Sequence, residues 1–206
     1  VREAVIAKLD PVAAGHSLVN LGKVLGWAGK FEEAYESFQR AQEALGPHPA
    51  VYYGLASALY SLGKPEEAIQ YYQATLVLSP GRRGVHAELA RIFAEQGETD
   101  KAIEHCRTEL DLDPDNYHVH VALAELLDKQ GDRAAALQHL RTALRINPQE
   151  YRAHTALGLI LKQQGDDRQA VAHFTEALRL EPGDDTARQN LQQLQAEHHK
   201  AGNQPS

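Results

Sequence analysis

One spacing dominates this sequence. Ala34, Ala68, Ala102, Ala136 and Ala170 stand 34 residues apart, and the interval holds without a gap from Gly15 to Asp184. Three further series keep the same step: Leu21, Leu55, Leu89, Leu123 and Leu157; Phe38, Tyr72, Cys106, Leu140 and Phe174; Gly29, Gly63, Gly97, Gly131 and Gly165. Each Leu is followed by a small residue, Gly22, Ala56, Ala90, Ala124 or Gly158. Pro80, Pro114, Pro148 and Pro182 close four units, and Pro47 closes the first one residue late. A unit this short cannot bury a core alone, so the chain must stack its units into a continuous one. The period therefore excludes the one or two conventional domains that 206 residues would otherwise suggest.

Each unit reads as two helices. His154, Leu157, Gly158 and Leu161 lie at i, i+3, i+4 and i+7, the apolar stripe of a first helix. Gly165 supplies a left-handed residue that stops it. Ala170, Phe174, Ala177 and Leu178 draw the stripe of a second helix, and Pro182 bars its continuation. Pro65 suits a first helical turn, while Asn116 and Asp184 stand where N-caps belong. Small residues in the Gly158 and Ala170 series let the two backbones approach closely; the Leu and Phe series fill the remaining space.

Leu157, Gly158, Ala170, Phe174, Ala177 and Pro182 resemble, in order and spacing, the tetratricopeptide repeat pattern W-x2-L-G-x2-Y followed by A-x3-F-x2-A-x4-P. Four more copies match similarly, giving repeats at residues 15–48, 49–82, 83–116, 117–150 and 151–184. Residues 1–14 look like the second helix of a truncated preceding repeat ending at Pro11. Residues 185–199 look like a solvating C-terminal capping helix, and 200–206 like a disordered tail. With no Met and a half-repeat at its start, the chain reads as a piece of something longer.

The resemblance implies an all-α fold, an α-α superhelix whose concave surface is lined by the first helix of each pair. Behind His16 and Val19, the partner-facing positions are then Lys23 and Trp27 in the first repeat and Tyr53, Ser57 and Tyr60 in the second. Glu88, Arg91 and Glu95 follow in the third, Glu125, Asp128 and Lys129 in the fourth, and Arg152 in the fifth. One subclass grips a C-terminal carboxylate with Lys and Asn residues; the equivalent positions here carry Val19, Lys23, Gly54, Gly84 and Glu88, of which only Lys23 is basic and Glu88 would repel a carboxylate. The asparagine ladder of some long arrays is likewise absent: its positions carry Asn20, Gly54, Glu88, Ala122 and Ala156.

Composition sharpens the expected ligand. Nine of 13 aromatics fall in residues 1–82, with 7 basic and 8 acidic residues; residues 83–206 hold 14 and 20. A partner with an apolar anchor near Trp27, Tyr53 and Tyr60, and basic groups nearer Glu88, Glu95, Glu125 and Asp128, would suit this gradient. The competing reading packs the aromatics between repeats and leaves the carboxylates merely solvated. A net charge of −7 argues against nucleic acid, and no apolar run approaches a membrane span, so direct membrane insertion is not expected. Cys106 alone excludes a disulfide framework and a cysteine-rich zinc site but fixes no compartment, cytoplasmic or periplasmic.

No nucleophile motif, phosphate loop or dinucleotide fingerprint occurs, so neither catalysis nor a cofactor is expected. His86, His120 and His154 recur at one repeat position, and His105, His139 and His173 at another. Equivalent residues of neighbouring repeats lie roughly 10 Å apart, too far for one metal ion, so both series read as repeat ancestry and no metal is expected; His198 and His199 read as exposed. Glu109 breaks the small-residue series of Ala41, Thr75, Ala143 and Ala177. It is expected to tilt toward solvent or an Arg, or to pair with His105, and with Cys106 it marks a less well packed helix. The leading functional expectation is a non-enzymatic protein–protein interaction module taking a peptide or helical segment of a partner. A regulatory or scaffolding arm of a larger enzyme or membrane-associated assembly is the alternative. Weak self-association through the apolar face of Val1, Ala4, Val5 and Leu9 is a third reading.

Overall fold

A computed structural model describes residues 10–202, with side chains to 197, as eleven helices and no strand among the described residues. They are α1 (Pro11–Trp27), α2 (Phe31–Leu45), α3 (Pro49–Ser61), α4 (Pro65–Leu78), α5 (Val85–Glu95), α6 (Thr99–Leu112), α7 (Tyr117–Lys129), α8 (Arg133–Ile146), α9 (Tyr151–Gln163), α10 (Asp167–Leu180) and α11 (Asp185–Gly202). Between residues 96 and 97 the chain divides into two compact units. In the first, α1 to α5 pack each on the next, and α1 also touches α3. In the second, α6 to α11 do the same, with first-helix contacts α7–α9 and α9–α11.

Local chemistry sets these boundaries. The periodic glycines all adopt φ between +74° and +88°. At Gly165 this lets the amide of Asp166 reach back 3.0 Å to the carbonyl of Leu161, closing α9. The next residue after each of two such glycines then starts a helix: Asp132 accepts from the amide of Ala135 and Asp166 from that of Gln169, both at 3.1 Å. Asn116 and Asp184 cap α7 and α11 in the same way. Pro11, Pro49 and Pro65 occupy first turns, where no amide donor is needed.

The core follows the period. Every residue of the Ala34 and Phe38 series is buried. The Phe38 ring is wedged between α1 and α3: a Cβ at Gly22 would lie 2.8 Å from it and one at Gly54 only 2.3 Å. Phe174 packs equally tightly on Gly158, at 2.6 Å. Where the small residue is Ala124, its series partner shrinks to Leu140.

The two histidine series meet. His120 Nδ1 lies 2.9 Å from His139 Nδ1, and His154 Nδ1 lies 3.0 Å from His173 Nδ1. His120 Nε2 faces the Pro114 carbonyl at 3.0 Å and His154 Nε2 that of Pro148 at 3.2 Å. A carbonyl only accepts, so Nε2 of His120 and His154 carries a hydrogen; where their Nδ1 accepts, Nδ1 of His139 and His173 donates. Each pair thus ties the second helix to the first, and the first to the preceding loop. A fully protonated pair would set two N–H groups head-on. Burial first, then the facing imidazole, and for His139 also Arg107, hold His139 and His173 below the usual histidine range.

Several expectations change. Pro11 opens α1 rather than closing an earlier helix, so residues 11–14 belong to the first helix. Leu21 is 47% exposed although Leu55, Leu89, Leu123 and Leu157 are buried; among the described residues no helix precedes α1 to cover it. Val19 is buried rather than groove-facing, because it continues the stripe of Gly15 and Gly22. Glu109 is completely buried with Ala102, Ile103 and Cys106, so α6 neither tilts it to solvent nor packs loosely. Burial, with Glu109 nearby, pushes the Cys106 thiol up to about 12 and makes it unreactive. Lys200 to Gly202, expected as disordered tail, continue α11, since extending a helix costs far less than starting one. Val1, Ala4, Val5, Leu9 and residues 203–206 lie outside the described residues, as do the side chains of His198 and His199.

Two outcomes follow from this packing. Gly158→Ala should destabilise by about 1–3 kcal/mol through overpacking, outweighing the roughly 1 kcal/mol gain in helix propensity. Adding Phe174→Leu, which reproduces the Ala124 and Leu140 combination, should cost less than the two single changes added together; additive denaturant-unfolding energies would refute the wedge. The lowered His139 and His173 leave the unfolded chain binding more protons below its own histidine pKa of about 6.5. Stability is therefore full above that pH and lost as pH falls toward the folded-state values. Thermal melts at pH 7 and pH 5 should show a drop that His139→Asn with His173→Asn reduces.

Candidate functional site

The first unit contains a cavity of about 420 Å³ between α1 and α3. Its floor is core: the Phe38 ring and Ala34 of α2. Its depth comes from what is missing, because Gly22 and Gly26 of α1 and Gly54 and Ser57 of α3 carry too little side chain to fill it. Gly26 is the open edge, since a Cβ there would meet nothing within 4 Å. Trp27 ends α1 beside this space and is 85% exposed, the most exposed large hydrophobic residue among those described.

Tyr53 forms the opposing aromatic wall. Its ring meets Tyr72 edge-on at 5.6 Å, and the Arg82 guanidinium lies 5.0 Å from its centroid. Tyr72 is fully buried, and that burial pushes its phenol far up, so it acts as a neutral strut. Lys23 joins the lining from α1. Among the described residues no carboxylate lines the cavity.

Next to it in the same unit lies a different arrangement. Tyr60 donates to Glu95, and Arg91 stacks 3.9 Å from the Tyr60 ring centroid. Arg91 also bonds Glu88 through Nε at 3.2 Å and lies 3.9 Å from Glu95. Burial, then the Glu95 hydrogen bond, raise the Tyr60 phenol. Glu88, Arg91, Glu95 and Tyr60 are therefore largely occupied with one another.

The second unit shows the same economy. Arg152 donates to both oxygens of Glu125, at 3.0 and 3.1 Å. Asp128 lies 3.4 Å from Arg133 Nε. Lys129 is exposed at the end of α7. Lys162 bonds Asn190 and Gln193 of α11 at 2.8 and 2.7 Å.

Of the residues expected to face a partner, the structure thus gathers Lys23, Trp27, Tyr53 and Ser57 around one cavity. Tyr60, Glu88, Arg91 and Glu95 form a charged network instead, and Glu125, Asp128 and Arg152 form ion pairs. The sequence reading missed Arg82, which follows α4 in a loop where helical periodicity gives no bearing. It also missed Phe38 as floor, because the Phe38 series reads as core. Its signal was the pair of glycines, Gly22 and Gly54, on which the ring packs.

The fold is that of known repeat proteins. The chain is similar to MamA (residues 41 to end) from Desulfovibrio magneticus RS-1, at 19% identity and a TM-score of 0.72, covering 84% of this chain and 97% of that one. PilF of Pseudomonas aeruginosa gives a TM-score of 0.75 at 16% identity over 91% and 99%. YrrB, described as a TPR protein with an unusual peptide-binding site, gives 0.67 at 16% over 84% and 89%. Among curated protein sequences none matches the chain. Models of the tetratricopeptide repeat match residues 19–83, 93–160 and 151–184. With the helix pairs, the periodic glycine stops and the buried Ala and aromatic series all in place, these matches establish that the chain belongs to the tetratricopeptide repeat family.

Proposed function

We propose that this chain is a non-catalytic protein-interaction module, and that its first unit seats an extended or helical segment of a partner protein with one apolar side chain in the cavity. The observation that carries this reading is Trp27, a large ring left almost wholly in water beside an apolar floor. An aromatic side chain contributes about 150–250 Å² of surface, worth several kcal/mol at roughly 25 cal/mol per Å² when covered. Leaving it exposed gives up that stabilisation unless a partner recovers it. Trp and Tyr also lose little rotamer entropy on contact, which makes Trp27 and Tyr53 suitable anchors. The peptide-binding site of YrrB, a protein of similar fold, supports the class of ligand. The family lends itself to scaffolding, and the same cavity would serve equally within a larger protein.

Gly26→Leu is the sharpest test. The added side chain meets no neighbour near its Cβ and replaces a helical glycine, so it should fill the cavity while leaving the melting temperature unchanged or raised. A displayed random-peptide library selected on the immobilised chain should enrich binders that Gly26→Leu loses. Trp27→Ala should weaken the same binders by about 2 kcal/mol, roughly thirtyfold. Binders indifferent to both changes, or no enrichment at all, would overturn the reading.

A further inference from the structure

We infer that the cavity of the first unit selects an acidic peptide segment, seating one bulky apolar side chain over Phe38 between Trp27 and Tyr53 while flanking carboxylates meet Lys23 and Arg82. This rests on the peptide-binding reading above and assigns the ligand's charge, opposite in sign to what the overall acidity of the chain suggests.

The argument begins with what lines the space. Among the described residues its only ionisable groups of full charge are Lys23 and Arg82; the polar remainder includes Ser57 and Ser61, and no Asp or Glu is present. Among the described residues neither cation lies within ion-pair distance of a carboxylate. The acidic residues nearest in sequence along the expected groove are otherwise engaged. Arg91 already holds Glu88 and Glu95, and Glu95 also accepts from Tyr60. Counting charges on the sequence makes this region look neutral to acidic. Counting charges left after internal pairing makes the cavity rim positive.

Geometry adds direction. Arg82 lies over the face of Tyr53, which holds the guanidinium plane against a ring while its edge donors remain able to take a carboxylate two-at-a-time. Lys23 enters from α1 and supplies a second, mobile positive charge. A basic segment would meet two like charges with no counter-charge in the lining, and such juxtaposition penalises the wrong partner more than it rewards the right one. A cavity of about 420 Å³ is of the size that ligand pockets use and leaves room for one large side chain and its flanks.

Trp27 is the only tryptophan in the sequence, so its emission reports on this site alone. Three end-blocked synthetic peptides sharing a central Leu, flanked by Glu, by Gln or by Lys, are titrated into the full chain. The Glu peptide should bind about tenfold more tightly than the Gln peptide, and the Lys peptide least, with the preference shrinking as salt rises. Lys23→Glu with Arg82→Glu should invert the order, and Lys23→Gln with Arg82→Gln should level it without adding charge; circular dichroism confirms the fold of each. A Lys peptide that binds as well as the Glu peptide, or a Glu preference that survives both double variants, overturns the charge assignment while leaving peptide binding in place. If none of the three moves Trp27 emission, both readings fall. A mass that grows with concentration while the peptides have no effect gives the cavity to a second copy of the chain and overturns the assignment as well.

Discussion

The close approach of helices around a single ring governs the first unit. Phe38 occupies the space between α1 and α3 only because Gly22 and Gly54 present no Cβ to it. The same two glycines line the cavity beside that ring, so the residue that holds the helices together also forms the floor of the cavity. This explains why the cavity is apolar at its base and why its depth does not depend on any flexible loop.

Electrostatics divides the molecule differently from composition. The carboxylates are numerous, but those on the expected groove positions are matched locally: Glu88 and Glu95 with Arg91, Glu125 with Arg152, Asp128 beside Arg133. Exposed pairs of this kind contribute little to stability. Their larger effect is to remove charge from the surface a ligand meets. What remains unmatched at the cavity is positive, at Lys23 and Arg82. A net charge read from sequence is a sum, whereas recognition responds to the residue left after pairing.

That difference marks the limit of what the sequence disclosed. Helix pairs, glycine stops and the buried Ala and aromatic series were legible because each is a local rule repeated at a fixed interval. Trp27, Tyr53, Ser57 and Lys23 could be assigned to one helix face by the same rule, and they line one cavity. Tyr60 and Glu95 lie 35 residues apart, and nothing in periodicity says that a phenol on one helix will spend itself on a carboxylate of a later one. Arg82 sits in a loop with no period. The histidines were compared only within each series, one repeat apart. The decisive offset was the 19 residues that separate His120 from His139 and His154 from His173, which joins the series within a repeat. Leu21 shows the converse, where a rule valid inside the array fails at its first described helix.

The repeats differ with position in how their paired helices are tied together. In the second unit, the place held by Phe38 is taken by Leu140 and Phe174, and both have a first-helix partner with the small residue that fits them. There the histidine pairs add a polar tie between first helix, second helix and preceding loop, and the lowered His139 and His173 give that tie a pH cost. The positions that correspond to His120 and His139 are Leu18 and Ser37 in the first repeat and Tyr52 and Tyr71 in the second. Leu18 packs on the apolar core and has no hydrogen to share, while the Ser37 hydroxyl donates within its own helix to the Glu33 carbonyl at 2.9 Å. Tyr52 and Tyr71 meet edge to face at 5.6 Å. At this pair of positions, the repeats that line the cavity are thus joined by packing and ring contacts rather than by histidine pairs. The proton-sensitive tie falls to repeats whose groove charges are already paired.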